Sequence, residues 1–182
     1  SKPKNLEGVE IADQYEQLNG ELSEDGREYP VVDISKNNNL KYISIDEIIS
    51  MFGNRSSDAV IYFGTPTCIY CRTSIQVLMD TAKKSDLDVI YYLDVDKTDP
   101  KYNDLVNALG EEITKTDSGE REVPIPLVLF ITDGQRIGYN KGTLFSQEDP
   151  YKQLDASQKE GLGEMYKSGI DAVALNKKQK QQ

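Results

Sequence analysis

The chain of 182 residues contains no histidine. That excludes a serine or cysteine triad built on imidazole, and it removes the commonest metal ligand. Cysteine is almost as scarce, with two residues in the whole sequence. A zinc centre needs about four ligands dominated by nitrogen and sulfur, so only two copies sharing their cysteines could build one. No run of about 18 apolar residues occurs, so no segment reads as a membrane-spanning helix, and these residues hold no secretory signal. Clustered cations are missing as well. The formal net charge of -10 argues against nucleic acid or an anionic membrane surface as partner, since both need concentrated positive charge. Hydrophobic residues make up only 37% of the chain, low enough to expect polar extensions around the core. The length fits one ordinary domain, expected to be monomeric. Any chemistry must therefore come from cysteine, carboxylates, lysine or tyrosine.

Residues 1–28 read as an acidic extension or linker. Glu7, Glu10, Asp13, Glu16, Glu21, Glu24, Asp25 and Glu28 face only Lys2, Lys4 and Arg27. Their apolar residues, Leu6, Val9, Ile11, Leu18 and Leu22, give weak support to a short helix around 9–19. The chain opens Ser1-Lys2-Pro3-Lys4 rather than on methionine. The expectation is that a leader or membrane anchor preceded it and was removed. The folded domain is expected over 29–175 and a basic tail over 176–182, where Lys177, Lys178 and Lys180 form a frayed end.

Within the domain the pattern alternates. A β-rich run at 29–35 precedes Ser44, an N-cap with Glu47 three residues later, the signature of a capping box. Ile45, Ile48, Ile49 and Phe52 then follow at helical spacing. The apolar runs 58–64 and 87–96 read as buried strands. Between them Cys71, Ile75, Leu78, Met79 and Ala82 share one helical face. A short helix ends at Gly110, and 111–122 reads as a mobile polar loop. A hairpin turns at Thr132-Asp133-Gly134. A last helix buries Leu162, Met165, Tyr166, Ile170 and Val173. The order β-α-β-α-β-α-β-β-α predicts an α/β fold, a mixed central sheet with helices on both faces.

Both cysteines fall in one place. Cys68 follows the strand ending at Phe63-Gly64, across the turn Thr65-Pro66-Thr67, and opens the next helix. Unpaired N–H groups and the helix dipole favour an anion there, so the Cys68 thiol is expected to be acidic. Cys71 lies one turn on, on the apolar face, and is expected to be sheltered. An exposed thiolate beside a buried resolving thiol suits disulfide exchange. A structural staple is the plainer reading, but a two-residue spacer closes the smallest of loops and constrains the unfolded chain least. Arg72, next in sequence, reads equally well as a solvated helix-start arginine or as a partner of the Cys68 thiolate.

From about residue 40 to 173 the chain resembles the thioredoxin superfamily, on the strand VIYFG leading into CIYC, the strand YYLDVD, and VPIPLVLFITDGQRIGYNKGT. The resemblance implies a three-layer thioredoxin-like sandwich and a thiol-disulfide oxidoreductase with Cys68 and Cys71 as catalytic residues. It also implies a cis-proline facing the dithiol. Pro126 fits that place better than Pro124, which leaves the backbone of Ile125 free for an extended substrate. Ile69 and Tyr70, between the cysteines, complete the expected substrate-facing set. Partners would be protein thiols or disulfides and a recycling redox protein, with no cofactor. The chain departs from the family pattern at three places. Tyr62 stands where many thioredoxins carry a buried carboxylate, Thr67 where tryptophan is usual, and Ile69-Tyr70 between the cysteines. In these respects it looks more like the divergent thioredoxin-like proteins exported by Gram-positive bacteria, including those described as bacteriocin transport accessory proteins. An extracellular or cell-surface location is expected, with the cytoplasm as alternative. The competing reading is a thioredoxin-fold docking module of a cell-surface assembly, with the 111–122 loop as contact surface and little redox turnover.

Overall fold

Strand β2 (Ala59–Gly64) organises the molecule, and all six of its residues are buried. It can be so apolar because it is the middle of a sheet covered on both sides. The computed structural model describes residues 4–182, in which β2 lies third in a five-stranded sheet of order β1-β3-β2-β4-β5. Strands β1 (Leu40–Tyr42), β3 (Ile90–Asp94) and β2 run parallel. Strands β4 (Leu127–Thr132) and β5 (Gln135–Lys141) add antiparallel pairing. The β4–β5 turn places Asp133 and Gly134 at φ 51° and 73°, the left-handed pair that a tight hairpin requires.

Alternation along β2 and β4 divides the core in two. Val60, Tyr62, Val128 and Phe130 face a cluster built with helices α1 (Leu6–Glu16), α3 (Ile69–Ala82) and α6 (Ala156–Lys180). Ala59, Ile61, Phe63, Leu127, Leu129 and Ile131 face the opposite way, toward α2 (Ile45–Met51), α4 (Tyr102–Leu109) and α5 (Glu111–Thr114). The result is the expected three-layer α/β sandwich. Helix α2 starts at the expected capping box, with the Glu47 N–H donating to Ser44 Oγ and the Ser44 N–H to Glu47 Oε1, both at 3.1 Å.

Five expectations need correction. Met165, placed on the buried face of the last helix, is 40% exposed. The segment read as an acidic linker contains α1, whose Ile11, Ala12 and Tyr15 are fully buried against the core. Its acidic residues point outward, so a low apolar count concealed a real buried face. Residues 18–29 dock as well: Arg27 forks onto Asp149 at 3.0 and 3.1 Å, and Ser23 bonds Tyr151 at 2.8 Å. Only residues 1–3, the start of that extension and the place where a removed leader would join, lie outside the described residues.

The β-rich run at 29–35 forms no strand. Three of its N–H groups donate to side chains instead, Val32 to Asn19, Asp33 to Gln76 and Ile34 to Glu16, and the Tyr29 N–H donates to the Glu21 carbonyl. The 111–122 loop is in part regular: it begins with α5, whose Ile113 is fully buried, and closes through a Lys115–Arg121 bridge. The basic tail continues α6 to Lys180. Lys177 meets Asp88, and Lys180 meets Asp58 and Asp133, each at 2.7 Å, which ties the end of the helix to three connections.

Candidate active site, a dithiol at the start of helix α3

The chain leaves β2 at Gly64 and turns through Thr65-Pro66-Thr67 to reach Cys68. The Cys68 N–H donates to the Thr65 carbonyl at 3.2 Å, and the Cys68 carbonyl accepts the first helical N–H, from Arg72, at 3.2 Å. Cys68 is therefore the N-cap of α3, and its Sγ accepts the N–H of Cys71 at 3.3 Å. A serine, aspartate or asparagine oxygen usually fills that role. A sulfur there sits at the positive end of the helix with a backbone donor aimed at it, and both features favour its thiolate. Cys71, the third residue of α3, is fully buried. The two cysteines are joined as a disulfide, with Cα atoms 5.1 Å apart. One half-buried sulfur and one buried sulfur within bonding reach can be opened and closed by exchange with an incoming thiol or disulfide.

The sheet brings the other expected residues to this end of the molecule. Phe63 pairs with Leu127, so Pro126, just before β4, sits beside the end of β2 from which the Cys68 turn departs. The Ile125–Pro126 peptide bond is cis, and it is the single cis bond among the described residues. Pro126 is buried and Ile125 half-buried. The Pro126 carbonyl accepts the Gly142 N–H at 2.8 Å, whereas Ile125 makes no backbone hydrogen bond among the described residues. Ile69 is half-buried and Tyr70 is 37% exposed.

The departure at Tyr62 has a structural counterpart. Tyr62 is fully buried and donates its hydroxyl to the Cys71 carbonyl at 2.9 Å. Its ring stacks on Tyr92 with centroids 5.7 Å apart, and the Tyr92 hydroxyl donates to that of Tyr15 at 3.1 Å. Burial pushes all three phenols above their ordinary pKa, so this layer stays neutral and protonated and offers no base to Cys71. The carboxyl at this end of the sheet is Asp94, paired in register with Gly64. Asp94 is exposed, yet neighbouring atoms partly desolvate it, which raises its pKa against a hydrogen bond with Thr65 that lowers it.

Sequence reasoning passes over two residues here and leaves a third open. Asp94 lies in the run 87–96 and carries no assignment of its own. Arg72, open between a solvated arginine and a partner of the Cys68 thiolate, is not solvated, being 1% exposed. Phe145 stands wholly in solvent, on a loop that starts at Gly142 beside Pro126. That loop returns to α3 through Gln147, whose amide donates to Thr73 at 3.1 Å and whose carbonyl lies 3.5 Å from the Tyr70 hydroxyl. The one signal for it in the sequence is the apolar pair Leu144-Phe145 ahead of a polar run, 146–149. Among the described residues no three histidine, cysteine, aspartate or glutamate side chains are grouped as metal ligands.

The strand order, the mixed pairing and the two helical layers make this a thioredoxin-like α/β fold, with a C-x-x-C pair at disulfide distance at the strand-to-helix junction. Among solved structures the chain is similar to the crystal structure of thioredoxin from Aeropyrum pernix, with 17% identity and a TM-score of 0.37, over 69% of this chain and 86% of that one. No family model and no curated protein matches the sequence.

Proposed function

We propose that the protein is a thiol-disulfide oxidoreductase acting on other proteins through Cys68 and Cys71. The observation that carries this reading is the placement of the Cys68 sulfur as N-cap of α3, bonded to a buried Cys71 one turn on. With the dithiol reduced, the Cys68 thiolate attacks a partner disulfide. One partner sulfur leaves as thiolate and a mixed disulfide forms at Cys68. Cys71, losing its proton, then attacks the Cys68 sulfur, which closes the internal disulfide and frees the second partner thiolate. Tyr62 cannot take that proton, whereas Asp94 is a carboxyl at the same end of the sheet with a pKa already raised. The reverse sequence oxidises a partner dithiol.

Substrate contact is assigned to Ile125, whose unused backbone groups can pair with an extended segment. Pro126, Ile69 and Tyr70 are assigned to the same contact surface, with Phe145 as its apolar edge. The finer reading, an exported thioredoxin-like protein of Gram-positive type working outside the cytoplasm, rests on the departures at Tyr62, Thr67 and Ile69-Tyr70, since a cysteine content limited to the redox pair suits the cytosol and the exterior alike. Fractionation of producing cells tests it: recovery in the cytosol alone would contradict it.

Reduction of insulin by dithiothreitol, followed by turbidity, tests the enzymatic reading. Wild-type protein should accelerate precipitation and Cys68→Ser should return it to the background rate. Equal rates in the two proteins would leave the docking-module reading in its place.

A further inference from the structure

Arg72 heads the fully buried side chains of the described residues by size, at 1% exposure. A guanidinium keeps its charge inside a protein, and a buried charge ordinarily has an opposite charge beside it. Arg72 has none. Its Nε donates to the Pro30 carbonyl at 2.8 Å, and Nη1 donates to the carbonyls of Tyr15 at 2.8 Å and Pro66 at 3.2 Å. Its Nη2 donates to Asn19 Oδ1 at 2.7 Å, and the group lies 5.3 Å from the Tyr29 ring centroid. Every acceptor is neutral, and no salt bridge among the described residues includes Arg72. Burial pulls its hold on the proton down, the expected mark of a cation with too little negative charge around it.

Pro66 and Cys68 belong to the same turn, and the Arg72 backbone N–H is bonded to the Cys68 carbonyl. The cation and the Cys68 sulfur therefore flank one short loop. We propose that Arg72 is a positioning residue of the redox centre, a standing countercharge for the Cys68 thiolate, held in place by the N-terminal segment through Tyr15, Asn19 and Pro30. The proposal deepens the oxidoreductase reading and rests on it. When a partner dithiol reduces the centre, two electrons pass to the Cys68–Cys71 bond, which breaks as the partner's disulfide forms. Of the partner's two protons, one goes to Cys71 and one to solvent, and Cys68 keeps the negative charge. The disulfide is neutral, so Arg72 gains an anion only in the reduced state. It thereby favours that state and makes the couple more oxidising.

Two residues of chain, a side chain and one hydrogen bond put the charges on the order of 10 Å apart. At an effective dielectric constant near 20 this corresponds to about a tenfold effect on the equilibrium between dithiol and disulfide. Titration against glutathione buffers reads it. Arg72→Met and Arg72→Gln should each lower the constant for reduction about tenfold, or about 30 mV, and should move the Cys68 thiolate absorbance to higher pH. Arg72→Lys, which keeps the charge but not the fork, should stay within about threefold of wild type. Unchanged potentials in the neutral variants would overturn the proposal. If those variants fail to fold, Arg72→Lys decides alone: a potential near wild type despite a lower melting temperature supports a role of charge, and a tenfold shift with the charge retained refutes it. Insulin turnover by the wild type is followed in parallel. Its absence would overturn the enzymatic reading, whereas the potential judges Arg72 with or without turnover.

Discussion

Ile11→Ala tests whether the acidic N-terminal segment belongs to the folded core. Ile11 lies in α1 with no exposed surface, in the cluster that includes Tyr62, Tyr92 and Leu78. The substitution deletes three carbons, worth about 2.4 kcal/mol at about 0.8 kcal/mol per methylene. The cavity left behind adds to this, so about 3 kcal/mol is expected, within the range of about 2–5 kcal/mol for such truncations. For a chain of this size each kcal/mol lowers the melting temperature by about 2–4 °C, which predicts a fall of about 6–12 °C by calorimetry of the oxidised protein. Leu6→Ala, on the same helix but 75% exposed, is the control and should cost under about 0.5 kcal/mol. Alanine is the best helix former, so helix propensity offsets each loss by roughly a few tenths of a kcal/mol and cannot account for a larger one. If Ile11→Ala were as mild as Leu6→Ala, α1 would be a loosely attached appendage, and its hold on Arg72 would lose its basis.

Two further outcomes follow from the site and from the far end of the sheet. Phe145→Ala should leave stability within about 0.5 kcal/mol, since the ring contacts only solvent. If the ring is covered in the complex, KM for a protein substrate should rise up to about tenfold, with kcat and activity toward a small disulfide unchanged; an unchanged KM would remove Phe145 from the substrate surface. Asp58 should shape the acid limb of stability. Burial raises its pKa, but Lys180, the Asp133 N–H and Asn176 together outweigh burial and hold the carboxyl below its ordinary value. Its contribution is therefore present above the unfolded pKa of about 3.9 and is lost as pH falls through the lower folded value. Thermal melts from pH 7 down to about 2 should show wild type more stable than Asp58→Asn at neutral pH and the gap closing in acid. A gap that widens in acid would reverse the assignment.

The parts of the fold that the sequence announced are those in which a local pattern and tertiary packing agree. Strand β2 is apolar at every position because it is central, and α2 declares its start through Ser44 and Glu47. The cysteine pair was legible because position gives it meaning, at the end of one element and the head of the next. The N-terminal helix was hard to read because its buried residues are Gly8, Ile11, Ala12 and Tyr15. Three of these count little in an apolar pattern, yet each fits closely: a Cβ on Gly8 would lie 2.1 Å from Asn38 Oδ1. The 29–35 run has strand-forming residues, but three of its N–H groups go to Asn19, Gln76 and Glu16, partners that no local pattern reveals. Arg72 was ambiguous for a similar reason. Its acceptors lie 6, 42, 53 and 57 residues away in sequence, so only the assembled fold shows that it is buried. Tyr62 was recognised as a departure, and the structure adds what replaces the acid, a stacked and protonated tyrosine layer beneath Cys71.

The division of labour within the dithiol is the centre of the account, and trapping measures it directly. Reduced Cys71→Ser, offered a protein disulfide, should accumulate a mixed disulfide at Cys68 that survives non-reducing electrophoresis, because the resolving thiol is gone. Reduced Cys68→Ser should accumulate almost none, since its remaining thiol is buried on the core face of α3. Equal trapping by the two variants, or trapping by Cys68→Ser alone, would contradict the assignment of Cys68 as the attacking sulfur.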